Sequence, residues 1–478
     1  MWDFDLATIR TGVTAQPGIT SAQLIEALME TRARTLELVH DLSEAQLIGP
    51  RLQIVNPLRW EIGHVAWFQE FWVLRHFGGQ PPILKQGDEL YDSARVAHDA
   101  RWDLPLLERH ETLAYMSQVL ERVIDQADYR SRSLRDAEGY DEEYFLNLVL
   151  LHEQMHDEAI TYTRQTLSYR PPEIGIVGKP ADDVAVANRV QVAEQTAPFA
   201  QTDDWLTSDA EIPGGKLTLG RASEQGFVFD NEQLAHEIEI APFAISKTAV
   251  TNGEFKRFVE DDGYGRSELW TAEGWHWRTS VRAEHPVYWR RAGRDRWSRR
   301  NFDEWVALDE RLPVIHVNWH EAQAYCRWAG RRLPTEAEWE MAASAEPAAD
   351  GRGLTTHKRA FPWGDDSPTI DRANLDSREL GCMPVYALPA GDSAFGCRQM
   401  IGNVWEWTAS DFKPYPGFIA GPYKEYSAPW FGDHKVLRGG CWVTRSRLIH
   451  NTYRNFYPPD RRDVWAGFRT CALQIQEE

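Results

Sequence analysis

"DEEYFLNLVLLHEQMHDEAITYTRQTL", residues 141–167, reads as one long amphipathic helix and decides how the first third of the chain is built. His152 and His156 stand four apart, just over one α-helical turn, so their imidazoles project from one face and can grip a single metal ion. Spacing alone leaves three readings open. The pair is the zinc-and-base signature of a metalloprotease with Glu153 as base, part of an iron site, or a helix with two ordinary histidines. Asp157 and Glu158 read as a solvated face of the same helix.

Three earlier segments share the helical pattern. Residues 20–42, "TSAQLIEALMETRARTLELVHDL", open on a cap at Thr20 with Gln23 three residues on. Residues 57–77, "PLRWEIGHVAWFQEFWVLRHF", begin with Pro57 and end before Gly78-Gly79. Residues 104–126, "LPLLERHETLAYMSQVLERVIDQ", complete the set. Four helices of similar length predict a four-helix bundle over residues 1–168, a scaffold that builds metal sites from facing helices. Residues 169–205 are rich in proline, alanine and polar residues and read as a linker or crossing segment. Residues 206–478 show brief β-type alternations broken by Gly, Pro and Asn. Helices are predicted at "NGEFKRFVED" and "HEAQAYCRWAG", giving an irregular α+β domain.

At 478 residues the chain exceeds one ordinary core. With 52 Lys+Arg against 72 Asp+Glu, its formal charge of −20 disfavours nucleic acid and anionic membrane as partners, while leaving room for a local basic pocket. No apolar run approaches bilayer length and the start "MWDFDLATIRTG" lacks a signal-peptide pattern, so a cytoplasmic protein is expected. The five cysteines are scattered and never spaced as CxxC, which argues against a disulfide framework or a structural zinc site. Trp405, Trp407 and Trp442 read as core packing.

In the second half, "VTNGEFKRFVEDDGY", "PVIHVNWHEAQAYCRWAGRRLPTEAEWEMAA", "FPWGD", "GNVWEWTAS", "VLRGGCW" and "GFR" occur in order. Together they resemble the sulfatase-modifying-factor domain, a C-type-lectin-like fold related to formylglycine-generating enzymes. Those enzymes use a cysteine pair shortly before the closing Gly-Phe-Arg, and residues 447–469 here contain no cysteine, so that activity is not expected. The first half resembles the DinB-like bundle. A DinB-like bundle followed by this domain is the architecture of the ergothioneine-biosynthesis sulfoxide synthases, a family that also includes the ovothiol enzyme and selenoneine synthase.

The resemblance implies a nonheme Fe(II) site on three histidines, matched here by His64 in "RWEIGHVAWF", His152 and His156. It leaves Glu153 structural, so Glu153→Gln is expected to be tolerated. It also implies a proton- or electron-relay tyrosine, with a second tyrosine three residues on that binds the histidine-derived substrate. "GPYKEYSAPWFG" supplies Tyr423 and Tyr426. Dioxygen is the implied co-substrate and N-trimethylhistidine (hercynine) the implied acceptor. Around the donor, the subtype using γ-glutamylcysteine has Trp and Asp where this chain has Phe456 and Tyr457 in "RNFYPPDRRDVWAGFR", while Arg461 matches an arginine. His98 replaces a further arginine in "LYDSARVAHDARWDLP", with Arg101 close by. These departures favour a selenosugar, and hence selenoneine synthesis, over a cysteine-type donor. The rival of another class is a noncatalytic small-molecule-binding protein. A monomer or small homo-oligomer is expected.

Overall fold

The computed structural model describes residues 21–129, 135–175, 208–222, 226–294, 296–349 and 353–473. The chain divides into two compact units, Met1–Lys179 and Pro180–Glu478. Of the linker predicted at 169–205, residues 176–205 lie outside the described residues, as does the Thr20 cap. Tyr169 and Arg170 remain on the first unit: the Tyr169 hydroxyl donates to the Gln46 carbonyl at 3.1 Å, and the Arg170 carbonyl accepts from Arg164 at 2.7 Å.

The first unit is the expected four-helix bundle, α1 (Ser21–Glu37), α2 (Leu58–Gln69), α3 (Arg109–Tyr129) and α4 (Glu142–Thr166). α2 begins directly after Pro57 and is buried along its whole length, its polar residues Arg59, Glu61, His64 and Gln69 included. It runs on into a π-helical segment, Glu70–Phe77, that the heptad-like spacing did not foretell. α3 starts five residues later than predicted, because Pro105 disfavours helical backbone at Leu104 and a turn occupies its place. α4 is capped by the Asp141 carboxylate, which accepts from the Tyr144 N–H at 3.0 Å.

Arg32 of α1 binds all three other helices. Its guanidinium donates to Gln69 at 2.8 Å, to the Met116 carbonyl at 2.6 Å and to Glu153 at 2.7 Å. A buried arginine this well partnered fixes the mutual register of the four helices, since no other placement satisfies its donors.

In the second unit, α5 (Asn252–Glu260), α6 (Trp319–Trp328) and α7 (Glu336–Ser344) each open with a capping box, at Thr251/Glu254, Asn318/Glu321 and Thr335/Glu338. A further helix, Ala272–Val281, was not predicted. Two four-stranded sheets form the frame. The first has order β1 (Asp209–Ile212), β2 (Phe243–Ser246), β8 (Cys471–Ala472), β3 (Arg331–Arg332). The second has order β6 (Asn455–Tyr457), β5 (Lys435–Arg438), β4 (Trp405–Asp411), β7 (Ala466–Gly467), with only the β4–β7 pair parallel. Gly467 of the Gly-Phe-Arg triplet passes the Val314 carbonyl so closely that a Cβ would lie 2.1 Å from its oxygen. Trp405, Trp407 and Trp442 are fully buried core residues, and the five cysteines are free. Among the described residues no helix is long and apolar enough to cross a membrane.

Candidate metal centre

His64 on α2 and His152 and His156 on α4 meet inside the bundle, with one ligand nitrogen from each lying within 4.8 Å of the others. Ring centroids are 5.1 Å (His64–His152), 4.9 Å (His64–His156) and 4.5 Å (His152–His156) apart, and the planes are inclined at 60°, 64° and 58°. Three rings inclined by nearly equal angles form a propeller that caps one face of a common point. The Nε2 atoms of His152 and His156 are 3.2 Å apart. Two imidazoles bound to one metal at about 2.1 Å, roughly 100° apart, would place their nitrogens at about that separation.

Each ring is oriented from behind. The Tyr91 carbonyl sits 2.7 Å from His64 Nδ1, which directs Nε2 to the centre. Glu61, one turn before His64, holds His156 Nδ1 at 2.5 Å, and its other oxygen accepts from Asn56 at 2.7 Å. Phe68 stacks on His152 at 3.5 Å and 7°, and Trp60 on His64 at 4.7 Å and 10°.

Burial pushes the His64 imidazole down to about 3 and that of His152 well below its ordinary value, in both cases reinforced by the neighbouring His156. These two rings are therefore neutral at physiological pH, with lone pairs available to a cation. Burial opposes the charge of Glu61, but His156, Asn56 and His64 together outweigh it and hold the carboxyl down at about 2. The centre thus offers three imidazole nitrogens backed by one carboxylate, a donor set suited to a divalent first-row metal with coordination positions left open.

Glu153 faces away from this centre. Its carboxylate accepts from Arg32, from the Thr35 hydroxyl at 2.8 Å and from Gln69 at 2.7 Å, and it is completely buried. A carboxylate so engaged cannot serve as the base of a metallohydrolase, which removes the zinc-protease reading. The same pairing gives Glu153 a structural role, so Glu153→Gln acts on the bundle's stability by stranding the Arg32 charge. Asp157 and Glu158 are not a solvated face: both are buried, and an Asp157 carboxylate oxygen lies 2.8 Å from the same Thr35 hydroxyl that faces Glu153.

In the second unit Tyr423 and Tyr426 lie 6.0 Å apart between ring centroids. Tyr426 stacks on Phe229 at 4.5 Å, meets the edge of Phe456 at 5.9 Å, and has its hydroxyl 3.2 Å from that of Tyr453. Phe456 stacks on Phe412 at 4.0 Å. Tyr457, the next residue of β6, falls outside this cluster and lies under Arg461, whose guanidinium is 5.2 Å from its ring. Arg461 pairs with Asp463 through two bonds, 2.7 and 2.8 Å. In the first unit, His98 Nε2 lies 2.8 Å from the Val55 carbonyl, while Arg101 donates to Asn56 at 2.6 Å and stacks 3.8 Å over Trp60.

The DinB superfamily model matches residues 27–160, and the sulfatase-modifying factor enzyme 1-like domain model matches residues 194–474. A hercynine oxygenase of Mycobacterium tuberculosis is 37% identical over 451 residues, covering 94% of this chain and 98% of its own. The chain belongs to the hercynine oxygenase family.

A second hercynine oxygenase, from Mycolicibacterium smegmatis, is 34% identical over 462 residues, 94% of this chain and 99% of its own. A formylglycine-generating enzyme of Streptomyces coelicolor is 33% identical but covers only 55% of this chain. Hercynine oxygenases thus share both units with this chain, whereas the formylglycine-generating enzyme covers little more than half of it. Within this family member, sequence reasoning found the three histidines but missed Glu61, Asn56 and Tyr91 behind them. Glu61 carried one available signal: it lies three residues before His64, on the adjacent turn of the same helix.

Proposed function

We propose that this hercynine oxygenase family member uses Fe(II), held by His64, His152 and His156, and dioxygen to replace the C–H bond of the hercynine imidazole with a carbon–chalcogen bond. With dioxygen as the oxidant the change balances as a four-electron oxidation: the hydrogens of the imidazole C–H and of the donor's S–H or Se–H leave with one oxygen atom as water, and the other oxygen atom is retained on the sulfur or selenium. The observation that carries the proposal is the three-histidine propeller with its Glu61 and Tyr91 supports. Iron, when bound, supplies the oxygen activation and a soft site for sulfur or selenium. The chain's own residues do the rest. Glu61 and the Tyr91 carbonyl hold two of the imidazoles in the ligating tautomer, and Phe68 and Trp60 keep water from the ring faces. Tyr423 is the proposed proton or hydrogen-atom donor through its phenol O–H, and Tyr426 a substrate contact.

The donor we favour is a selenosugar, which makes the reaction a selenoneine synthesis. Supporting it, the two arginines nearest the matched donor positions are already partnered, Arg461 by Asp463 and Arg101 by Asn56 and Trp60. A γ-glutamylcysteine would have to break such a pairing to neutralise its carboxylates, whereas a hydroxyl-rich sugar needs hydrogen bonds only. Side-by-side assays with hercynine, oxygen and a panel of donors (cysteine, γ-glutamylcysteine, thioglucose, selenosugar) test this by product mass. The selenosugar should give the higher kcat/KM. A higher value for γ-glutamylcysteine would overturn the donor assignment and leave the acceptor assignment standing.

A further inference from the structure

The segment Gly421–Ser427 carries both tyrosines, yet it contains no helix or strand and its middle is exposed: Lys424 and Glu425 face solvent. Inside the segment only two backbone bonds form, Lys424 N–H to the Pro422 carbonyl at 3.1 Å and Tyr426 N–H to the Tyr423 carbonyl at 3.2 Å. Such a loop has many backbone conformations of similar energy unless something outside it closes its ends.

That closure comes from one carboxylate almost two hundred residues away in sequence. Asp230 accepts from the Gly421 N–H through Oδ2 at 3.2 Å and from the Ser427 hydroxyl through Oδ1 at 2.5 Å. The two bonds fall on the first and last residues of the segment, so a single side chain spans its base. Asp230 and Ser427 are both buried, which shields the bonds from competing water. The neighbouring residue adds a second grip, because Phe229 stacks on the Tyr426 ring at 4.5 Å. Tyr453 completes the hold with its hydroxyl against that of Tyr426.

We infer that Asp230 is a positioning residue for the tyrosine loop: it touches no substrate, but it sets where the Tyr423 and Tyr426 hydroxyls can be. The inference rests on the proposed roles of those tyrosines only for its effect on turnover. Its structural half, closure of the loop by Asp230, stands separately. An asparagine at this position keeps one acceptor oxygen and exchanges the other for an NH2 group, so the two charge-assisted end bonds become at best one neutral bond to the Gly421 N–H and one reversed bond to the Ser427 hydroxyl. Ser427→Ala removes the Ser427 end alone and leaves the carboxylate in place.

The test uses the full-length, iron-loaded protein and its Asp230→Asn and Ser427→Ala variants. Hydrogen exchange of the amides of residues 423–427 should rise at least tenfold in both variants, with exchange in α5, α6 and α7 unchanged. With hercynine as the varied substrate, kcat should fall about tenfold or more and KM should rise, while bound iron stays within twofold of wild type. If Asp230→Asn does not fold, Ser427→Ala carries the same two measurements. Unchanged loop exchange in the folded variants would overturn the inference, and so would a loss of exchange protection spread evenly over the second unit. Tyr423→Phe run in parallel separates the two ideas. Wild-type kcat in that variant would sink the tyrosine's role, and Asp230 would still be judged by the loop exchange.

Discussion

The two units bury charge for different reasons. In the bundle, backbone groups are satisfied within helices, so its buried polar side chains are free to organise a point: Arg32 with Glu153 at the helix crossing, and Glu61 and Asn56 behind the histidines. In the second unit, long irregular connections leave carbonyls without ladder partners, and buried arginines take them up. Arg469 donates to the carbonyls of Ser246, Lys247 and Arg398 while pairing with Glu406 at 2.6 Å. Arg454 does the same for Asn231 and Lys413 while pairing with Glu336, and Arg438 for Asn451 and Thr452 while pairing with Glu336 and Glu340. Buried charge in the bundle is gathered mainly around the histidines and the helix crossing, whereas in the second unit most of it takes up loop carbonyls, Asp230 with its hold on residues 421 and 427 being the exception.

The largest expected effect lies at the histidines. His152→Ala should remove both stoichiometric iron and turnover, measured by metal analysis and hercynine-dependent oxygen consumption, while the second unit keeps its thermal transition. Retained iron with full activity would break the assignment of function to the bundle.

Next come the structural pairs. Glu153→Gln leaves Arg32 buried without its counter-charge, and Glu406→Gln does the same to Arg469 and leaves one oxygen for the donors of Arg469 and Trp339 Nε1. Each should cost about 3–5 kcal/mol, read from chemical denaturation. The comparison sharpens if Glu153→Gln lowers only the bundle's stability and Glu406→Gln only that of the second unit. A cost below about 1 kcal/mol at either site would contradict it.

Glu232 gives a pH test confined to the second unit. Burial pushes its carboxyl up to about 7 from an ordinary value of 4.5. The folded state therefore holds a proton that the unfolded chain has released. Its contribution is fully present below about pH 4.5 and is lost as pH rises through about 7, on the order of 3 kcal/mol in total. Glu232→Gln should flatten that slope, and an unchanged stability profile between pH 5 and 8 would refute the assignment.

The smallest effect is expected at Glu61. Glu61→Gln keeps a hydrogen bond to His156 but loses the charge, and iron affinity should weaken about 10- to 100-fold, measured by competition with a chelator. An unchanged affinity would mean that the carboxylate only fills space.

What could be read in the sequence follows the same divide. The helices at Asn252–Glu260 and Trp319–Trp328 were legible because their signals are local, within four residues of one another. His152 and His156 were legible for the same reason, through one turn of helix. Arg32 with Glu153, Arg469 with Glu406 and Asp230 with Ser427 join positions 121, 63 and 197 residues apart, and no local pattern marks them. The π-helical run after Gln69 was missed because its residues keep helical spacing while the hydrogen-bond ladder shifts by one. Arg461 was identified by position, but its pairing with Asp463 two residues on decides whether it can serve a donor.

The central claim is that the three histidines of the bundle run an oxidation of hercynine. Its most direct test is a single reaction vessel: anaerobically purified protein loaded with one equivalent of Fe(II), hercynine, a selenosugar or thiol donor and a measured pulse of oxygen, with products identified by mass. The account predicts oxygen uptake that depends on hercynine and a product in which selenium or sulfur is bonded to the imidazole ring. Iron bound at the site with no hercynine-dependent product from any donor would contradict it.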